Sequence, residues 1–312
     1  MHSKQFFFPA AIALAFGALT PIAHAIGGAT SGTPATTFNI DSCREIAQPG
    51  IYKLTTNLNG KSYDGTACFR IKAPNVTLDL GGHTVRGTNG SPSYGIIADG
   101  GATLGVGIIN GMVADFGVGI WLGNTFAAVV QDISVNVNKV VGLVAGNGAV
   151  LRRVQARSNN HDGIQTGAGA YVDGAYIEAN GSDGLTVGVG SMVINSSSEF
   201  NRRGIVVDRT RLGRNIITGN TTGANTGVGI SVDCIGGVPQ SGGGVFSGLW
   251  VKGNTRDPFF PNGGHDIIAN APDIYTMFSS GAALAPEPCQ VLQPGTVIHR
   301  SGDSSVNDTV QK

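Results

Sequence analysis

Between residues 75 and 233, apolar and polar positions alternate in short bursts that return at a nearly constant interval. A Gly followed by Ile or Leu stands at Gly95, Gly119, Gly142, Gly163, Gly184, Gly204 and Gly229, in steps of 24, 23, 21, 21, 20 and 25 residues. Asn138, Asn159, Asn180 and Asn201 recur at 21, and Asn220 is taken as the next member after 19. Within one period, Ala175, Ile177 and Ala179 alternate with Gly174, Tyr176 and Glu178, a period of two that predicts a strand. Gly184-Leu185-Thr186-Val187 predicts a second, and no stretch carries a helical stripe. Self-similarity at this spacing signals a stacked array. Short strands and Gly turns make it an all-β parallel β-helix, about seven coils of ~21 residues with like residues ~4.8 Å apart.

Aligning coils on the Asn column sorts the side chains. Val135, Ala156, Ile177, Ser198 and Ile217 fall inward. Asn136, Arg157, Glu178, Glu199 and Thr218 fall outward two residues before each Asn, and Ser134, Gln155, Tyr176, Ser197 and Ile216 four before. Asn suits a turn because it tolerates left-handed backbone, and stacked amides can hydrogen-bond from coil to coil. The column is therefore read as a structural ladder.

Composition narrows the class. The 312 residues include 49 Gly, and only 13% are charged, which excludes coiled coils, while 41% apolar content excludes wholesale disorder. Twenty basic residues balance 20 acidic ones, so no basic field exists to recruit nucleic acid. Residues 1–25 read as a signal peptide, with an apolar run from Phe6 to Leu19 and a small-x-small site at Ala23-His24-Ala25. Export to the periplasm or the extracellular space follows, with no membrane span and a monomeric state expected. In an oxidising compartment the four cysteines read as disulfides, and pairing Cys43 with Cys68 and Cys234 with Cys289 closes two local loops, one of three possible connectivities. The expected organisation is a flexible leader at 26–36, an N-terminal cap at 37–74, coils at 75–233, a C-terminal cap at 234–300 and a tail at 301–312.

The segment Asn75-Val-Thr-Leu-Asp-Leu-Gly-Gly-His-Thr-Val-Arg-Gly87, followed by the Asn…Gly-Ile coils, resembles the secreted right-handed parallel β-helix proteins of the pectate-lyase-like superfamily. The resemblance covers residues 40–235 and implies a single-stranded right-handed parallel β-helix. It implies no one activity, because that fold carries lyases, hydrolases, epimerases and adhesins.

Charge concentrates in one patch of the coils. Glu178 and Glu199 are 21 residues apart on the outward row, as are Asp162 and Asp183 in the turn after the Asn, where Arg202 and Arg203 follow one coil on. Carboxylates stacked at a strand spacing repel unless a proton, a cation or a guanidinium such as Arg157 intervenes. Glu178, Glu199, Asp162, Asp183 and Arg203 are the candidate catalytic residues. Arg157 and Arg202 would hold uronate carboxylates, Tyr176 would stack on a sugar ring, and His161 lies at the same turn as a further substrate contact. Ca²⁺ is the one cofactor that stacked acids invite. The expected function is action on, or binding of, an acidic polysaccharide or cell-surface glycan, by lyase- or hydrolase-like chemistry. The alternatives are a non-catalytic scaffold or adhesin-like protein, and a solvated face of salt bridges and Asp-Gly turns.

Overall fold

The computed structural model describes residues 36–91, 93–99, 104–207, 215–223, 225–226 and 229–232, together with strands at 244–247, 250–252, 267–268, 277–279 and 298–300. The expected signal peptide, the tail, and Cys234 and Cys289 lie outside the described residues.

Each coil lays down three short strands rather than the two expected. One coil contains Val150–Arg152, Gln155–Arg157 and Ile164–Thr166. The next contains Tyr171–Asp173, Tyr176–Glu178 and Asp183–Val187. The third contains Met192–Ile194, Ser197–Glu199 and Arg203–Val207. Corresponding strands pair in parallel from coil to coil, so the solenoid has three faces, here called first, second and third in chain order. The extra division is a corner between the first and second faces. Arg153, Gly174 and Asn195 occupy it with φ of 49°, 66° and 52°, left-handed conformations that end one strand and turn the chain. In earlier coils the two faces share one long strand, Gly107–Ala114 or Val129–Asn136, kinked at Asn110 and Asp132 in the same way.

The stack extends at both ends beyond the coils legible in the Gly-Ile repeat. Thr37–Ile40 and Arg44–Ile46 pair with Gly50–Leu54 and Ala67–Ile71 in the first and third faces, so coil geometry already runs through 37–74, the segment expected as a cap. The Cys43–Cys68 disulfide joins these opening coils. Gly244–Ser247, Trp250–Lys252 and Ile267–Ile268 carry the three ladders onward.

The core is a set of aliphatic columns. Ile120, Leu143, Ile164, Leu185, Ile205 and Ile230 stack in register and are fully buried. Each such side chain contributes ~1.5–3 kcal/mol by leaving water. The Gly before each of them serves packing, not φ. A Cβ at Gly163 would lie 2.7 Å from the carbonyl oxygen of Gly184 and 2.8 Å from Asn180 Nδ2, closer than side chains tolerate.

That crowding arises from the Asn ladder, which forms as expected over four members. The main-chain N–H and the side-chain amide of Asn159 both donate to Asn180 Oδ1, at 3.0 and 2.9 Å, and Asn180 repeats this toward Asn201 at 2.9 and 2.9 Å. The fifth member is Asn225, whose Oδ1 accepts from the Asn201 N–H at 2.9 Å, not Asn220. Asn220 belongs to a separate buried column, accepting from the Ser196 N–H, while the Ser196 hydroxyl accepts from the Ala175 N–H. The offset comes from a longer coil, with 24 residues between bonded Asn201 and Asn225 where earlier partners are 21 apart. It shifts the ends of the rows: Ser197, Ser198 and Glu199 face Thr221, Thr222 and Gly223, whereas Ile216, Ile217 and Thr218 stand on the first face. A second correction concerns backbone. Left-handed φ falls not on the Asn but on the residue before it: Val137, Ser158, Ala179 and Phe200, at 57°, 54°, 56° and 55°. Ala179, read as inward, is exposed for this reason.

Candidate functional site

The outward row of the second face forms as aligned. Arg157, Glu178 and Glu199 are direct register partners on neighbouring strands, and Tyr176 stands two residues before Glu178 on the same surface. The Arg157 guanidinium lies 5.7 Å from the centre of the Tyr176 ring. Its Nη2 approaches Glu178 Oε2 at 2.6 Å. That oxygen is shielded from water yet has no donor in hydrogen-bond geometry, so the contact with Arg157 is an ion pair without a directed bond. Glu199 is held differently, its Oε1 accepting from the Ser197 hydroxyl at 2.9 Å. Burial, reinforced by the Glu178 carboxylate, raises the Tyr176 hydroxyl above the ordinary tyrosine value, so the phenol keeps its proton and can donate.

The second group of candidates sits across a corner, at the entry to the third face. Arg203 grips Asp183 with two parallel bonds, Nε to Oδ1 at 2.7 Å and Nη2 to Oδ2 at 2.6 Å, and the Asp183 side chain is only 8% exposed. Asp162 accepts from the Asp183 N–H at 2.9 Å and from Gln165 Nε2 at 2.6 Å. Asp183 therefore spends both oxygens, and Asp162 its Oδ1, on pinning one coil to the next, while Asp162 Oδ2 is taken up by Gln165 of its own coil. His161 is exposed and its N–H donates to the Val140 carbonyl; the Arg202 N–H donates likewise to Ser182. The candidates thus divide into an open set, Arg157, Tyr176, Glu178 and Glu199, and a bonded corner set.

Alignment on the Asn column missed Phe200. It follows Glu199 directly, is 56% exposed and is held outward by its positive φ. No signal in the sequence marks it, because the left-handed conformation is expected there on the Asn that follows and not on Phe200. Trp121 packs edge-on against Tyr94 on the third face, ring centres 6.3 Å apart.

The donor set does not fit Ca²⁺. The ion takes six to eight oxygens, whereas Glu178 is engaged by Arg157, Asp183 by Arg203, and among the described residues no three His, Cys, Asp or Glu side chains converge.

No family model matches the chain, and no curated protein matches it in sequence. Among solved structures it is similar to the pectate lyase Pel9A, with 13% identity over 84% of this chain and 73% of that one and a TM-score of 0.56. It is similar to the A-module of the mannuronan C-5 epimerase AlgE4 of Azotobacter vinelandii, with 14% identity over 85% and 90% and a TM-score of 0.52. A third likeness, to the Dettilon tailspike protein gp208, has 16% identity over 68% of this chain and a TM-score of 0.44, and the chain spans 59% of that protein's length. At these identities the likeness is one of fold: the chain is a parallel β-solenoid of the kind found in the pectate lyase and the epimerase.

Proposed function

We propose that this chain is an exported protein that engages an acidic polysaccharide on the outer surface of its second face. The observation that carries the reading is the open row of Arg157, Tyr176, Glu178 and Glu199, a charged and aromatic surface in a chain of which only 13% is charged. A guanidinium lying over a phenol ring offers a carboxylate partner and a stacking surface together, which is what a uronate ring presents to a protein. The disulfide at Cys43–Cys68 fits an oxidising compartment. The pectate lyase and the mannuronan epimerase that share the fold are named for acidic glycans, which supports the substrate class.

Binding is the primary reading, because most of the acids are committed to protein partners. Glu199, whose Oε1 accepts from the Ser197 hydroxyl, is the carboxylate left to move a proton if the protein also cleaves its ligand. The test is incubation of the mature protein with pectate and with alginate, following ultraviolet absorbance for unsaturated ends, reducing sugar for hydrolysis, and calorimetry for binding. Binding without product supports the primary reading. Product formation that falls ~100-fold or more in Glu199→Gln would make the protein an enzyme. Absence of binding to either glycan would overturn the proposal.

A further inference from the structure

The open row on the second face has a counterpart on the first. Five residues before Arg157, Tyr176 and Glu178 stand Arg152, Tyr171 and Asp173. They occupy the same two coils, and the pairing is repeated: Val150 with Tyr171 and Arg152 with Asp173 on the first face, Gln155 with Tyr176 and Arg157 with Glu178 on the second. The geometry is repeated as well. Arg152 lies 5.8 Å from the centre of the Tyr171 ring, against 5.7 Å for Arg157 over Tyr176. The Tyr171 hydroxyl donates to Asp173 Oδ2 at 3.3 Å. Arg153 and Gly174, both at positive φ, form the corner between the two sets.

The two copies differ in one respect. Arg157 is drawn to Glu178, whereas Arg152 pairs with no carboxylate among the described residues. The neighbouring Arg153 takes up Asp132 in a fork of 2.6 and 2.7 Å, and Asp173 is bonded to Tyr171 and to Asn195 Nδ2. Arg152 is thus a half-buried residue whose guanidinium is set against an aromatic ring and, among the described residues, is in ion-pair contact with no carboxylate, its register partner Asp173 being bonded elsewhere. Such a group binds a carboxylate more strongly than one already paired.

We propose that Arg152, Tyr171 and Asp173 form a second uronate-binding subsite, and that one glycan chain bridges it to the Arg157–Tyr176 site by crossing the corner. The bound chain then runs along the strands, across the solenoid axis, within two coils. The inference rests on the polysaccharide reading given above. Five residues of extended backbone separate the tyrosines, at most ~17 Å and less around a bend, so the two subsites are filled together only by an oligosaccharide.

The test is calorimetric titration of oligogalacturonates and oligomannuronates of increasing length into the parent protein, Tyr171→Ala, Arg152→Gln and Tyr176→Ala, each first shown to melt like the parent. Arg152→Gln keeps the ring and guards against loss of fold in Tyr171→Ala. The expected result is that Tyr176→Ala weakens every length about tenfold or more, while Tyr171→Ala and Arg152→Gln leave the shortest ligand unchanged and weaken the longer ones about tenfold. If Tyr171→Ala and Arg152→Gln bind all lengths like the parent while Tyr176→Ala does not, the second subsite is wrong and the second-face reading stands. If no variant alters binding of any length, or the parent binds none, both fall.

Discussion

At the residue scale the polar interior deserves as much weight as the aliphatic one. Asn180 accepts two hydrogen bonds from Asn159 and donates two to Asn201, all of them buried. Asn180→Ala would leave the Asn159 N–H without an acceptor and its amide with the Val135 carbonyl alone, and buried donors left unpaired cost ~1–3 kcal/mol each. A loss of ~2–4 kcal/mol in urea unfolding is expected, and a loss below ~1 kcal/mol would show that water or a neighbour replaces the amide. The same burial closes the Asn180-Gly181-Ser182 sequon to glycosylation. Val137 makes the opposite prediction. It is β-branched, 46% exposed and held at φ 57°. Left-handed backbone costs such a residue ~1–2 kcal/mol, so Val137→Gly should raise the melting temperature. The Asn repeat at 21 was plain in the sequence, but this strain was not, because Val, Ala and Phe occupy positions whose φ they disfavour and so give no compositional signal.

At the element scale, strand parity was legible and strand number was not. Ile164 and Leu185 point inward and Gln165 and Thr186 outward, as alternation indicates. Ile164→Ala should therefore cost ~2–5 kcal/mol through the cavity it leaves, whereas Gln165→Ala, which loses one hydrogen bond to Asp162, should cost ~1 kcal/mol. Equal costs in urea titrations would mean that the parity is wrong. The separate strand Tyr171–Asp173 escaped the reading because alternation was followed only from Gly174 to Ala179: the left-handed residue at Gly174 steps the inward side from Val172 to Ala175 and Ile177, so a count by twos does not cross it. The last coils were misaligned for a related reason. Asn220 lies at nearly the expected interval and is itself a buried ladder residue, so only hydrogen bonding separates its column from that of Asn225. For the site, the outward row could be read from spacing alone. Pinning of Asp162 and Asp183 could not, since an Asp before Gly looks the same whether it turns the chain or meets a substrate.

At the scale of the whole molecule, each coil touches little beyond the coils above and below it, so stability is distributed and the ends matter. The Cys43–Cys68 bond closes a separation of 25 residues in the opening coils. Its reduction should lower stability by ~3 kcal/mol in the chain-entropy account and start melting at that end. Far-ultraviolet circular dichroism should still report the β-signal of the later coils at temperatures where the first have opened; loss of the entire signal in one transition at an unchanged midpoint would contradict this.

The 21-residue interval between bonded neighbours of the Asn ladder has a further consequence, for descent rather than for stability. Excising residues 150–170 would bring Tyr171 onto the place of Val150, Val172 onto that of Leu151 and Asn180 onto that of Asn159, and every inward position would still receive a residue that is now buried. Removing one residue more or fewer would turn the following side chains inside out. Through these coils the gene can thus shorten or lengthen this protein only in whole rungs, and the 24 residues between bonded Asn201 and Asn225 mark a coil that has taken up a surplus without turning its ladder inside out.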